Sequence, residues 1–293
     1  MRQKAVSEKI AEAALLGAAS ISVLTVVFIT VFLLANGLPL FRKVNPIEFL
    51  FSTDWAPTAN PPHFGILSFA VGSFYVTGLA LIFAVPVGLA VGIYLAELAP
   101  PRAASFLRSG IELLAGIPSV IYGLFGIALV APFVRTVAGG SGYSVLSAAI
   151  VLALMTLPTI INVTESSLRA LPSELAEGSL ALGATQWQTI VRVQVPAAGS
   201  GIVAGIILGM GRAIGETTAV LMVGGNAPIM PRGLNSMVRT LTMNIITDMS
   251  YATGDHLTSL FATGIVLFIF ILVLNIAVQT FIHRSISSEG GRA

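Results

Sequence analysis

Arg212 and Glu216 lie four residues apart inside an otherwise uncharged stretch, GIVAGIILGMGRAIGETTAVLMVGGN, running from Gly201 to Asn226. An arginine in apolar surroundings keeps its charge and offers paired planar donors that suit an oxyanion. At about 100° per residue, Gly201, Gly205, Gly209, Arg212 and Glu216 share one helical face. Glycine at four-residue spacing lets a neighbouring helix come close, and the spacing predicts an Arg212–Glu216 pair on the same face. Two accounts fit these residues. One is an ion pair that fixes helix packing; the other is an arginine lining an anion path, held in place by Glu216.

A second informative stretch is LPSELAEGSLALGATQWQTIVRVQVPAAGSG, Leu171 to Gly201, within a polar segment at 166–200. Pro172 suits the first turn of a helix, and Glu174 and Glu177 then sit near its positive end. Gly183 can adopt the left-handed conformation that ends a helix. Thr185 and Gln188 have capping-box spacing for a second helix, which Pro196 is expected to stop. The third stretch is Glu112–Gly123, where Gly116, Pro118 and Gly123 interrupt helical geometry and Ser119 is placed to satisfy a freed backbone group. Such interruptions are tolerated at membrane depth only where protein or water surrounds them. A packing kink and a gate-lining role both fit Gly116, Pro118 and Ser119.

Other chemistries find little support. There is no cysteine, hence no thiolate metal site and no cysteine nucleophile. His63, His256 and His283 are far apart, and no His-Glu-x-x-His pattern occurs. No catalytic or metal site is expected. Lys4, Lys9 and Lys43 follow no glycine, so no phosphate-cradling Gly-x-x-x-x-Gly-Lys loop exists to bind ATP. A net charge of +2 without basic clusters gives no reason to expect nucleic acid as a partner.

These residues must be positioned by membrane helices. The chain is 55% hydrophobic and 10% charged, against about 25% charged in soluble domains. Charge-free runs cover Ala13–Phe41, Trp55–Ala96, Leu113–Val134 and Thr136–Thr164, and another lies between Asp255 and Arg284. Each can cross a hydrocarbon core, which takes about 20 helical residues. Six spans fit: 14–35, 66–95, 112–133, 145–165, 201–224 and 259–282, all within a single membrane domain, 1–293. The first run is about twice a signal-peptide core and reads as a retained helix. Nine Lys and Arg (Arg2, Lys4, Lys9, Arg102, Arg108, Arg169, Arg192, Arg284, Arg292) fall on the side of the termini, and five (Arg42, Lys43, Arg135, Arg232, Arg239) on the other. The positive-inside rule then puts both termini in the cytoplasm. Pro86, Pro118 and Pro158 inside spans predict kinks.

The 166–200 segment resembles the coupling loop of ABC importer permeases, whose signature is Glu-Ala-Ala, three residues, Gly, nine residues, Ile, one residue, Leu-Pro. Glu177, Gly178, Ser179, Gly183, Val193, Val195 and Pro196 stand at the matching offsets, with Gly178 and Ser179 replacing the alanines and valines replacing Ile and Leu. Residues 211–217, Ala219–Asn226 and the Glu112–Gly123 block resemble phosphate ABC transporter permeases, the PstC-type subunit more than the PstA-type. The similarity extends from about Phe64 to the sixth span.

The resemblance implies an all-α polytopic type I importer permease of six transmembrane helices in the cell inner membrane. It implies a PstA-type second permease, separate ATPase subunits carrying ATP and magnesium, and an extracytoplasmic phosphate-binding protein, with no cofactor on this chain. The ATPase would dock at Glu177, Gly178, Ser179, Gly183 and Pro196, and Arg212 and Glu216 would serve phosphate passage. Another oxyanion, such as sulfate, molybdate or phosphonate, fits the same arginine. An ion-coupled secondary transporter fits hydropathy but not the loop spacing.

Overall fold

A computed structural model describes the backbone of residues 2–289 and the side chains of residues 12–276 and 280. The side chains of Arg2, Lys4, Lys9 and Arg284, and all of Arg292, lie outside the described residues. Among the described residues the regular structure is helical apart from one two-stranded hairpin, Trp55–Ala56 (β1) against His63–Phe64 (β2), and a single parallel bridge between Gly225 and Val238.

Helix α1, Arg2–Gly37, leaves its described apolar side chains exposed until its last turns. There Phe32 meets Phe261 edge-on at 5.7 Å, and Gly37 packs on the backbone of Phe261 and Ala262. A 3-10 turn (Leu38–Arg42) and a short helix α2 (Pro46–Phe51), capped by Asn45, lead into the hairpin. Helix α3, Leu67–Ile93, extends through a π-helical turn, Tyr94–Leu98. Helix α4 is Pro101–Gly116, and α5 (Ser119–Phe125), a π turn (Gly126–Val130) and α6 (Ala131–Ala138) form one continuous rod. Helix α7, Val145–Arg169, is the central and most buried span.

Helices α8 (Ser173–Ala181) and α9 (Gln186–Thr189) follow, with a π turn and α10 (Val195–Ala197) extending the latter. Helix α11 is Gly199–Gly215, bent 69° from the preceding helical segment, and α12 is Thr218–Gly224. Helix α13 (Leu241–Asp248), capped by Thr240, and α14 (Gly254–Glu289) complete the chain.

The core sits around α7. Gly88 and Gly92 of α3 pack on Ile160 and Thr164, so two helices run side by side at close range. Gly201, Gly205 and Gly209 of α11 pack on Ser167, Val163 and Ile160 in antiparallel order. The glycine stripe therefore does bring another helix close, and that helix is α7. At one end the 225–240 segment folds back on α7 and α12, with Val145 N donating to Ser236 O at 2.9 Å and Val238 N to Gly224 O at 2.8 Å.

Two expected spans differ from the observed helices. The third, expected at 112–133, breaks at Ile117–Pro118: Glu112–Gly116 belong to α4, and the crossing helix is Ser119–Ala138. Proline has no amide hydrogen to donate and pushes the preceding residue into extended backbone, and Ile117 is extended, with ψ 127°. The fifth, expected as one helix at 201–224, ends at Gly215 and resumes at Thr218, with Glu216 extended. Proline alone is not sufficient for a break, because α3 and α7 continue through Pro86 and Pro158.

Candidate functional site

Arg212 lies near the end of α11, on an exposed stripe with Ala204, Leu208, Gly211 and Gly215. Neither Gly211 nor Gly215 has a neighbour within 4 Å of where a Cβ would stand. No carboxylate lies within 4.0 Å of Arg212 among the described residues. The expected Arg212–Glu216 pair is therefore not formed. An i, i+4 pair needs a continuous helix, and Glu216 lies beyond the helix end. Its Oε1 instead accepts from Ala219 N at 3.1 Å, capping the first turn of α12. Carboxylates suit that position because the first amides of a helix lack intrahelical acceptors.

The second break lies alongside the first. Helices α5 and α12 run in the same direction, with Gly123 on Met222 and Gly126 on Val223. The carbonyl freed near Pro118 is satisfied by Tyr122, whose Oη donates to Leu114 O at 2.8 Å. The expected role of Ser119 thus falls to Tyr122, one helical turn on. Gly116, Pro118 and Ser119 are not among the residues that line the adjacent apolar cleft; from the break itself only Ile117 does, with Leu114, Ile121, Tyr122, Phe125, Leu154 and Leu157.

The 171–201 segment forms the expected helix–turn–helix. Gly183 ends α8 with φ 89°, and Thr185 and Gln188 complete a reciprocal capping box. Ser179 and Thr189 hydroxyls lie 2.9 Å apart and tie the two helices together. Glu177, Gly178 and Gly183 are exposed, together with Leu182 (92%) and Trp187 (63%). Pro196 does not stop the second helix; it lies inside α10, and the bend comes at Ala198.

Two charge clusters were not anticipated from the sequence. Near the loop, the Glu165 side chain is 8% exposed and its Oε1 accepts from Arg108 Nε at 2.7 Å and Arg169 Nε at 2.9 Å. Arg108 Nη2 is 2.6 Å from the same oxygen but off the hydrogen-bonding axis. Near the other end, Asp248, 3% exposed, accepts from Tyr251 Oη (2.6 Å), Trp55 Nε1 (3.1 Å) and Arg239 Nη1 (3.2 Å), with His256 Nε2 also at 3.2 Å. Burial opposes ionisation of Asp248. The hydrogen bonds from Tyr251 and Trp55, with the Arg239 charge and the His256 contact, outweigh it and hold the carboxyl below the usual range. The Tyr251 phenol is pushed up, first by its bond to Asp248 and then by burial. Each cluster joins local partners, Arg169 four residues from Glu165 and Tyr251 three from Asp248, to one that is distant in sequence, Arg108 or Trp55, and the distant partners carry no local signal. No group of three or more metal-ligating side chains occurs among the described residues.

Comparisons with known proteins agree with this architecture. Residues 88–287 match the family described as binding-protein-dependent transport system inner membrane component. A probable ABC transporter permease, YqgH of Bacillus subtilis, is 43% identical, covering 85% of this chain and 83% of its own. The phosphate transport system permease protein PstC of Mesorhizobium japonicum is 34% identical, covering 83% and 80%. Among solved structures, the inward-facing MetNI methionine ABC transporter aligns with a TM-score of 0.60 at 20% identity, covering 73% of this chain and 93% of its own. A bacterial alginate importer aligns with 0.60 at 13% identity, covering 91% and 95%. The helices form the type I ABC importer permease fold, with five long apolar helices and a bent sixth able to cross a membrane among the described residues. On the match over most of its length, this multi-pass membrane chain belongs to the binding-protein-dependent transport system inner membrane component family, the permeases of ABC importers.

Proposed function

We propose that this chain is the permease subunit of an ATP-driven phosphate importer and lines the translocation path together with a second, PstA-type permease. The observation that carries the reading is Arg212, a guanidinium in an apolar helix, without a carboxylate partner among the described residues and on a face that none of them covers. An arginine at membrane depth costs about 2.5–3.5 kcal/mol on insertion scales, so it needs a counter-charge or water. A passing oxyanion supplies both charge and acceptors. The 34% identity to a phosphate transport permease supports phosphate as the cargo.

Glu216 has two roles within reach. In this structure it caps α12 and leaves Arg212 free for an anion. Were α11 and α12 to straighten into one helix, Glu216 would return to the face of Arg212, compete for the guanidinium and release the anion. The partner subunit would cover the exposed stripe of α11, so the path forms between the two chains. The breaks at Gly116–Pro118–Ser119 and after Gly215 flank it as gates. Gly201, Gly205 and Gly209 anchor α11 to α7 while its far end moves.

The exposed helix–turn–helix is the coupling element. Glu177, Gly178, Ser179, Gly183 and Pro196, with the apolar Leu182 and Trp187 beside them, would dock into the ATPase chain, which holds ATP and magnesium. That puts the loop and both termini in the cytoplasm, in keeping with the excess of Lys and Arg on that side. The chain then resides in the cell inner membrane and receives its cargo from an extracytoplasmic binding protein.

The test is ATP-dependent phosphate uptake into proteoliposomes holding the whole complex. Arg212→Gln is expected to lower uptake about ten- to hundredfold, the kinetic equivalent of losing a charge-assisted hydrogen bond, with assembly and ATP hydrolysis retained. Unchanged uptake would remove Arg212 from the path. Wild-type transport of sulfate or molybdate, but not phosphate, would overturn the cargo.

A further inference from the structure

We propose that Glu165 is a positioning residue for transport, joining the coupling helices to the break at Gly116–Pro118 by holding α4 against the end of α7. The proposal rests on the reading of the chain as an ATP-driven permease, and it assigns a role that neither Arg212 nor the exposed loop supplies.

The contacts form an unbroken physical series. From the loop, Gln194 Nε2 donates to Glu97 Oε2 at 2.8 Å, and Gln186 Nε2 donates to Glu97 O at 3.4 Å. Glu97 lies in the π turn that ends α3. The same turn offers Leu95 O to Arg169 Nη2 at 3.0 Å. Arg169 is the last residue of α7 and donates through Nε to Glu165 Oε1 at 2.9 Å. That oxygen also accepts from Arg108 Nε at 2.7 Å, and Arg108 belongs to α4. Eight residues further on, α4 ends at Gly116 and the chain breaks.

Among the described residues, Glu165 is the one carboxylate bonded to both α4 and the last residue of α7 at the root of the loop. Beneath it, Leu95, Ala104, Ile111 and Ile161 form a small apolar cluster that sets α4 on α7 without fixing where α4 slides along it. An apolar patch is non-directional, whereas a bonded carboxylate–guanidinium pair holds register. Both arginine side chains are partly exposed, 35% for Arg108 and 49% for Arg169, against 8% for Glu165, with Arg108 Nη2 the buried part of its guanidinium. The cations can therefore reach solvent when the tie is cut, and the fold need not collapse. Such a tie transmits displacement between elements that have two arrangements. Here the elements are the coupling helices and the α4–α5 break.

A residue that only stabilises the fold would lower uptake and ATP hydrolysis together. A positioning residue lowers the ratio between them. The experiment measures phosphate taken up per ATP hydrolysed by the complete complex in proteoliposomes, for wild type, Arg108→Gln, Glu165→Gln and Glu165→Asp. Arg108→Gln severs α4 alone and leaves the Glu165–Arg169 pair in place. The expected result is a fall of about fivefold or more in that ratio for Arg108→Gln and Glu165→Gln, the low end of ordinary coupling between sites. Hydrolysis continues in both, and Glu165→Asp recovers much of the ratio. An unchanged ratio in Arg108→Gln, or a parallel loss of uptake and hydrolysis in both variants, would overturn the proposal. If Glu165→Gln does not assemble, Arg108→Gln decides alone. A wild-type complex that hydrolyses ATP without moving phosphate would instead sink the cargo reading, and the ratio would then be taken on the oxyanion that does move.

Discussion

The two buried carboxylates, Asp248 and Glu165, differ in how their partners are held. Asp248 uses both oxygens, spreading four contacts over Trp55, Arg239, Tyr251 and His256, and its main cation, Arg239, is itself buried, with its side chain 10% exposed. Glu165 draws all its recorded contacts to one oxygen, and its cations are much more open to solvent. The first arrangement is a lock, because Asp248, Arg239 and His256 are all buried and the carboxylate cannot leave without stranding the other two in an apolar setting. The second is a joint, because both arginine side chains already extend to the surface. One end of the molecule is thus fixed around the α13–α14 corner, and the end bearing the coupling helices is held by a tie that can yield.

The largest effect is expected at the lock. Asp248→Ala leaves Arg239 without its counter-charge and Trp55 Nε1 without an acceptor. Removing one member of a buried ion pair costs about 3–5 kcal/mol. Thermal unfolding of the purified chain in detergent should show this as a large drop in midpoint or as failure to fold. A midpoint close to wild type would make Asp248 no more of a lock than Glu165 and would dissolve the comparison.

A smaller stability effect is expected at the joint. Glu165→Gln removes charge-assisted bonds, but solvent screening around the two arginines limits the loss to about 1–2 kcal/mol. The same detergent melts measure it. A loss as large as that of Asp248→Ala would mean that Glu165 is a structural anchor, and that any defect in transport follows from unfolding.

The span pattern, the capped helix–turn–helix and the glycine contacts of α11 were legible in the sequence, because each is set by residues close together: Thr185 with Gln188, or Gly201, Gly205 and Gly209 at helical spacing. The breaks were only half legible. Gly116 and Pro118 marked the first, yet Pro86 and Pro158 carry the same chemistry and break nothing, because α3 and α7 are packed against each other along their length. The second has no proline, and what replaces the continuous helix is the Glu216 cap on α12, which the i, i+4 spacing read as a pair with Arg212. Of the two carboxylate clusters, only the i, i+4 spacing of Glu165 and Arg169 left a local trace. Arg108 and Glu165 are 57 positions apart, Trp55 and Asp248 are 193 apart, and only the packed fold brings them together.

The effect of pH separates lock from joint in a different way. The folded Asp248 carboxyl ionises below its ordinary value of 3.8, so the folded state favours the charged form. Its contribution to stability is present above that ordinary value and is lost as pH falls through the depressed folded one. Tyr251 acts in the opposite direction, since its raised phenol favours the neutral form. That contribution is present below pH 10 and is lost as the solution turns more alkaline. Melts of wild type and Asp248→Asn from pH 7 to pH 3 should therefore begin to converge below 3.8, where the unfolded carboxylate takes up its proton before the folded one does. Parallel curves over that range would mean that the four donors do not hold the charged form, and the lock would have to rest on shape alone.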